Sequence, residues 1–347
     1  MNTARDPVLG LRSLGYTERE AAFLYVVGVH SGYFLRRQFM AFLQREDGAI
    51  VQRFLKKAVG LGHVQPIAYQ RQRHIYHLKA RPIYDLLGEP DSQNRRDKGD
   101  SQIKARLMQL DYVIEHLGRQ FLETGQQKAE LFHRKLGMPL EYLPHFPAGN
   151  ERDGGSAPPV LGGESYFPDR FPISVTQSTN EPPLVTFAYI DEGLRTISAF
   201  AHWLDARYRL LRALLHAEVV YVSDSEYNFA DAEHEFLRRF PPPASRSTPK
   251  PLPPPLGVDH LIHYLRARRS NDSRSPLFSE EREALAKGYL YQAPEFQKLV
   301  EDYKRGVVTE HSLRVRFAPK PKPPVIRGHV LVHDYPVWSV KYRRGIL

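Results

Sequence analysis

The chain has 347 residues, 41% hydrophobic and 25% charged, the balance of a globular protein with two or three domains. It contains no cysteine, which excludes disulfides, thiolate zinc sites and cysteine nucleophiles and fits a reducing cytoplasm. No apolar run nears the roughly 20 residues of a membrane span, and the first residues lack the apolar core of a secretory leader, so a cytoplasmic protein without a membrane partner is expected.

The net charge of +10 is segregated. Residues 1–81 hold 13 Lys+Arg against 5 Asp+Glu, residues 82–311 hold 28 against 33, and residues 312–347 hold 8 against 1. Basic ends around a mildly acidic middle suggest that the ends meet a polyanion.

In chain order, TEREAAFLYVVGVH (17–30) reads as a helix opened by a Thr17/Glu20 capping box. FLRRQFMAFLQ (34–44) reads as a second helix, with Arg36, Arg37 and Gln38 near its start. A third spans about 49–60, burying Val51, Leu55, Ala58 and Val59 and showing Gln52, Arg53, Lys56 and Lys57. HVQPIAY and RHIYHLK then form a hairpin closed by a turn containing Arg71, with Arg73 and His74 beside it. Three helices followed by a hairpin is the order of a winged helix-turn-helix, placed at 10–87.

In such a module the exposed face of the third helix enters the major groove. Gln52 and Arg53 are suited to base edges, and Lys56, Lys57, Arg36, Arg37 and Gln38 to the backbone; Arg71, Arg73 and His74 would follow the minor groove. The alternative is a solvated charged face that contacts proteins.

GEPDSQNRRDKGD (88–100) reads as an exposed linker. Beyond it, Ile103, Leu107, Leu110, Ile114, Leu117 and Phe121 make a heptad seam, packed either on its own domain or against a second copy in a homodimer. SYFPDRFPISV and PPLVTFAYIDEG read as strands, TISAFAHWLDARYRLLRALLHA as a helix, AEVVYVSDS as a buried strand and NFADAEHEFLRRF as a helix. The region 101–240 is thus an α/β domain. A Pro-rich linker (241–256) precedes a mixed basic region (257–347). The expected fold class is α+β.

The middle domain has the strand order of a restriction-endonuclease-like fold, in which carboxylates hold Mg²⁺ and a nearby lysine positions water. Asp169, Asp191 and Glu192 are the available acids. Gly193 and Leu194 stand where acid-x-Lys requires the lysine, so a degenerate, non-catalytic version is favoured. His74/His77, His260/His263 and His329/His333 lack a third ligand, and no phosphate-binding Gly-rich motif is present.

The helical N-terminus followed by FPDRFPI, TFAYIDEGLRT and VVYVSDS resembles the bacterial replication-relaxation proteins of plasmids and integrative elements, over about residues 15–240. The resemblance implies a winged helix before a nuclease-like α/β region, with Asp191 and Gly193 on one of its strands. Tyr189 stands where that family tends to have an acid. It further implies a DNA-associated protein of a mobile element with a replication or transfer partner.

The expected function is sequence-preferring double-stranded DNA binding without catalysis or cofactor. An Mg²⁺-dependent nuclease and a protein-binding adaptor are the alternatives.

Overall fold

In the computed structural model, which describes residues 6–46, 48–69, 73–145, 166–167, 171–177, 182–242, 254, 256–270, 291, 293–318 and 321–336, polar caps start the first two helices. Asp6 accepts from the Val8 amide at 2.9 Å and opens α1 (Pro7–Ser13). The capping box opens α2 (Glu18–His30): Thr17 N donates to Glu20 Oε2 at 2.8 Å, and Glu20 N to Thr17 Oγ1 at 3.4 Å.

A strand not expected from the sequence follows. Tyr33–Leu35 (β1) is wholly buried, and only Arg36–Leu43 is helical (α3). Three buried residues show no alternation, so β1 is defined by its partner. After α4 (Ala49–Gly60) come β2 (Val64–Tyr69) and β3 (Arg73–Leu78), and β1 pairs antiparallel with β3 through Phe34 and Tyr76. The sheet order is β1-β3-β2. Phe23, Phe39 and Phe54 of the helices pack with Phe34 of β1 in one aromatic cluster. Phe54 takes the inward position expected for Val59, which is 36% exposed.

The segment 88–100 is no exposed linker. After α5 (Arg81–Leu86), Asn94 is buried and its amide donates to the Gly28 and Val29 carbonyls at 2.9 and 3.0 Å, satisfying orphan acceptors near the end of α2. Its carbonyl lies against Gly32, whose φ is +81°.

The expected dimer seam is also internal. In α6 (Asp100–Glu115), Ile103, Leu107 and Leu110 are buried among residues of their own chain, and Ile114 packs on the first core. Leu117 lies past the helix end and Phe121 is in β4 (Gln120–Phe121). The apolar stripe of α6 is therefore used within one chain.

The second sheet has the order β4-β5-β6-β7-β8, with β5 at Ile173–Thr176, β6 at Leu184–Asp191, β7 at Ala217–Ser223 and β8 at Val325–Val330. β5 runs antiparallel to both β4 and β6, whereas β6, β7 and β8 are mutually parallel. The β7 side chains are all buried, as are those of β6 after half-buried Leu184. This matches a parallel pair covered on both faces. α7 (Gly125–Ala129) runs into a π-helical turn at Glu130–Lys135, and the expected single helix between β6 and β7 is two, α8 (Ile197–Asp205) and α9 (Tyr208–Ala213). α10 (Phe229–Arg239) follows β7.

β8 corrects the expected boundary at 257. The described residues of 321–336 belong with those of 6–242 in one compact unit, and those between 243 and 320 form another. The N-terminal and central regions likewise form one unit, because α6 contributes to both cores. The smaller unit consists, in its described part, of α11 (Val258–Ser270), α12 (Pro294–Lys304) and α13 (Glu310–Phe317) around Leu261, Leu265, Phe296, Leu299 and Leu313. The fold is α+β with two sheets. Among the described residues no helix is long and apolar enough to cross a membrane.

Gly32 and Gly15 separate backbone strain from crowding. Both have positive φ, but a Cβ on Gly32 would stand 2.3 Å from the Asn94 carbonyl oxygen, and one on Gly15 would meet nothing within 4 Å. Gly15→Ala should cost about 1 kcal/mol and Gly32→Ala about 3 kcal/mol or more, measured by chemical denaturation of the full chain.

Candidate nucleic-acid interface

α4 divides into a buried and an open side. Val51, Phe54, Leu55 and Ala58 face the core, while Gln52, Arg53 and Lys56 are exposed. Its N-terminus emerges from Gly48, whose backbone is extended, and Arg53 Nε rests on the Ala49 carbonyl at 3.3 Å. At the other end Gly62, with φ of +69°, turns the chain into β2. The β2–β3 ladder runs in register from Val64↔Leu78 to Tyr69↔Arg73, leaving Arg73 and His74 exposed beside the turn. Arg71 lies outside the described residues.

Other expected contacts have structural duties. Lys57 Nζ sits 2.6 Å from Glu20 Oε2 and 3.1 Å from the Gly15 carbonyl, above the Tyr16 ring. It ties α4 to the start of α2 instead of reaching outward. Gln38 is fully buried: its Oε1 accepts from the Leu35 amide and its Nε2 donates to the Leu107 carbonyl, both at 2.8 Å. Arg37 makes two 2.7 Å bonds to the carboxylate of buried Asp111, which also accepts from the Tyr335 hydroxyl at 2.7 Å. Burial opposes the charge of Arg37, but the Asp111 pairing prevails and raises its pKa. Arg36 is half-buried at the same helix start. The cations of α3 therefore do not form the expected phosphate row, because α6 lies over that helix start.

The tertiary structure adds cations that the helix pattern did not single out. A cleft of about 520 Å³ between α2, α3 and α4 brings Arg19 and Arg45 to the wall that holds Arg53, with Glu18 and Glu20 also lining it. Arg19 and Arg45 are exposed, and their distance from Arg53 in sequence left no periodic signal.

The acids of the middle sheet meet at the C-terminal ends of β6 and β7. Asp191 is 1% exposed and accepts from the Tyr221 hydroxyl at 2.6 Å, the Gly193 amide at 2.9 Å and Asn228 Nδ2 at 3.1 Å. Burial, then the bond to Asp191, push the Tyr221 hydroxyl far above its ordinary range. Glu192 binds Arg195 at 2.9 Å through Oε1, and its Oε2 is buried without a hydrogen-bond partner. The lysine missing from the linear pattern arrives from elsewhere: Lys104 of α6 reaches Asp224 at 2.6 Å, beside Gly193. Separation by 87 positions hid Lys104 from a local motif.

Asp191 is thus occupied by three donors of its own chain, and Lys104 by Asp224. Among the described residues no three His, Asp or Glu side chains are grouped to hold a metal, and Asp169 lies outside those residues. All three histidine pairs also have other partners. His77 stacks on Tyr33 at 4.1 Å, His260 Nδ1 lies 2.7 Å from the Tyr291 hydroxyl, and His329 and His333 share the Glu115 carboxylate at 2.8 and 3.2 Å.

Comparison with protein-family models, curated proteins and solved structures finds no match to this chain.

The donors around Asp191 generate a test of the acid cluster. Asp191→Ala strands the hydroxyl of Tyr221 and the amide of Asn228, and should cost about 2–4 kcal/mol in chemical denaturation. Mg²⁺ should leave the melting temperatures of both proteins unmoved. A Mg²⁺-dependent rise seen in the wild type and lost in Asp191→Ala would instead restore the metal reading.

Proposed function

We propose that this chain is a sequence-preferring, double-stranded DNA-binding protein that uses residues 10–87 as a winged helix-turn-helix. The observation that carries the reading is α4: one side is locked into an aromatic core while Gln52, Arg53 and Lys56 project from the other. The surrounding order supports it. Helix, short strand, helix, helix and hairpin, with the short strand paired to the last one, form a scaffold that holds a recognition helix beside a β-wing.

In this reading Arg53 and Gln52 address base edges and Lys56 addresses phosphate. Arg19 and Arg45 at the cleft, and Arg73 and His74 at the wing, extend the positive surface. The basic balance of residues 1–81 favours a polyanion over an acidic strip of protein, since the charge is spread over several elements. The mobile-element setting implied by the replication-relaxation resemblance is part of the proposal. Such a protein would act by occupying a site or recruiting a replication or transfer protein.

The nuclease reading gains no specific support, because Asp191 is already bonded to Tyr221 and Asn228 and Lys104 to Asp224. The proposed protein binds without cutting.

The test is selection of the full-length protein on random-sequence duplexes at two salt concentrations with Mg²⁺ present. An enriched motif on intact DNA is expected. Arg53→Ala should weaken binding to that motif by roughly 5- to 150-fold and relax one base position. Lys56→Ala should weaken all duplexes alike and reduce the salt slope by about 1. Unchanged affinity in both variants would refute α4 as the reading helix.

A further inference from the structure

The described part of residues 243–320 is three helices around one small core. Leu261, Ile262 and Leu265 of α11 pack with Phe296, Leu299, Val300 and Tyr303 of α12, and α13 enters this core through Leu313. Between α12 and α13 stand five residues, Arg305–Thr309. Gly306 there has φ of +76°, a conformation that glycine adopts without steric cost. The amides of Val307 and Val308 both donate to the Asp302 carbonyl, at 2.9 and 3.2 Å, which fixes the turn.

Thr309 then starts α13. Its side chain accepts from the Ser312 amide at 3.2 Å, and Ser312 Oγ accepts from the Thr309 amide at 2.9 Å. A helix, a Gly-containing turn of a few residues and a capped second helix packed on a third are the parts of a helix-turn-helix.

The outward face of α13 has a composition suited to a groove. Leu313 is its one fully buried residue, and His311, Ser312, Arg314, Val315 and Arg316 are exposed, Val315 by 61%. Arginine and histidine offer donors to base edges and phosphates, an exposed valine can meet a thymine methyl group, and Ser312, whose hydroxyl donates to the Thr309 carbonyl at 2.7 Å, keeps an acceptor lone pair. The one acid in the helix, Glu310, is held by Arg266 through two 2.6 Å bonds and by the Tyr303 hydroxyl at 3.0 Å. Arg314 pairs with Asp259 at 2.7 Å, with both side chains more than half exposed. A surface pair of that kind is weak and exchanges readily for phosphate. Residues 243–320 carry 14 Lys+Arg against 9 Asp+Glu, a net +5, with Arg314, Arg316 and Lys320 belonging to the basic end that begins at residue 312.

We propose that the helices α12 and α13 form a second helix-turn-helix that binds double-stranded DNA through His311, Ser312, Arg314, Val315 and Arg316. The partner is duplex DNA because the exposed face combines two arginines, a histidine and one aliphatic side chain, with its acid tied back. The site is separate from α4 and stands whether or not α4 reads DNA.

Full-length protein is titrated into a fluorescent duplex of random sequence at about 50 and 200 mM salt, as wild type, Arg314→Ala/Arg316→Ala, Arg53→Ala/Lys56→Ala and the combination of all four. Loss of about tenfold in affinity and a salt slope shallower by about 2 are expected for Arg314→Ala/Arg316→Ala, in either background. Restoring the charge with Arg314→Lys/Arg316→Lys should recover most of the affinity, which a folding defect alone would not allow. If Arg53→Ala/Lys56→Ala is silent while the α13 pair still weakens binding, the α4 reading fails and this one holds. Wild-type affinity at both salts for Arg314→Ala/Arg316→Ala overturns the proposal, as does an Ala defect that the Lys pair leaves unrepaired.

Discussion

The bidentate bond between Arg37 and Asp111 holds the larger unit together. Asp111 lies on the buried face of α6, with almost no exposure, and a carboxylate in that position demands compensation. Two guanidinium bonds from α3 and one hydroxyl bond from Tyr335 provide it. One acid thus links the helix before α4, the helix at the centre of the unit and the segment after β8. Breaking a buried pair by removing one partner typically costs 3–5 kcal/mol, more than most single apolar contacts contribute. The orientation of α3, and through it the presentation of α4, depends on this contact.

α6 shows why the unit cannot be divided at residue 100. Its side chains from Leu107 to Val113 are all buried, including Gln109, whose amide donates to the His30 carbonyl at 2.6 Å. Leu110 packs with the aromatic core of α2, α3 and α4, and Ile103, Leu107, Met108 and Tyr112 pack with the five-stranded sheet. A helix apolar on nearly every side must be surrounded, and here two cores share it. The same sharing consumes the heptad stripe that a coiled-coil partner would have needed.

At the ends of β6 and β7, Asp191 and Lys104 are held by partners within the chain. Asp191 and Lys104 each have a partner at 2.6 Å. Groups so fully satisfied rigidify the strand ends and have little capacity left for a hydrated metal. Arg53 and Lys56 on α4, and Arg314 and Arg316 on α13, are by contrast exposed.

Local signals in the sequence determined α2, α4 and the β2–β3 hairpin. The Thr17/Glu20 cap, the helical period from Val51 to Ala58 and the two short β-prone runs act over a few residues, so neighbours in sequence carry the whole signal. The same period put Gln52, Arg53 and Lys56 on the open face. Only the tertiary structure decided the rest. β1 exists because β3 lies beside it, and 88–100 is ordered because Asn94 meets the carbonyls near the end of α2. Arg37, Gln38 and Lys57 turn inward because Asp111, Leu107 and Glu20 wait there. β8 joins a strand about a hundred residues earlier, and Lys104 reaches Asp224 across 120 positions. In each case a polar or unpaired group found its partner far along the chain, and no short pattern can announce a partner that only folding brings near.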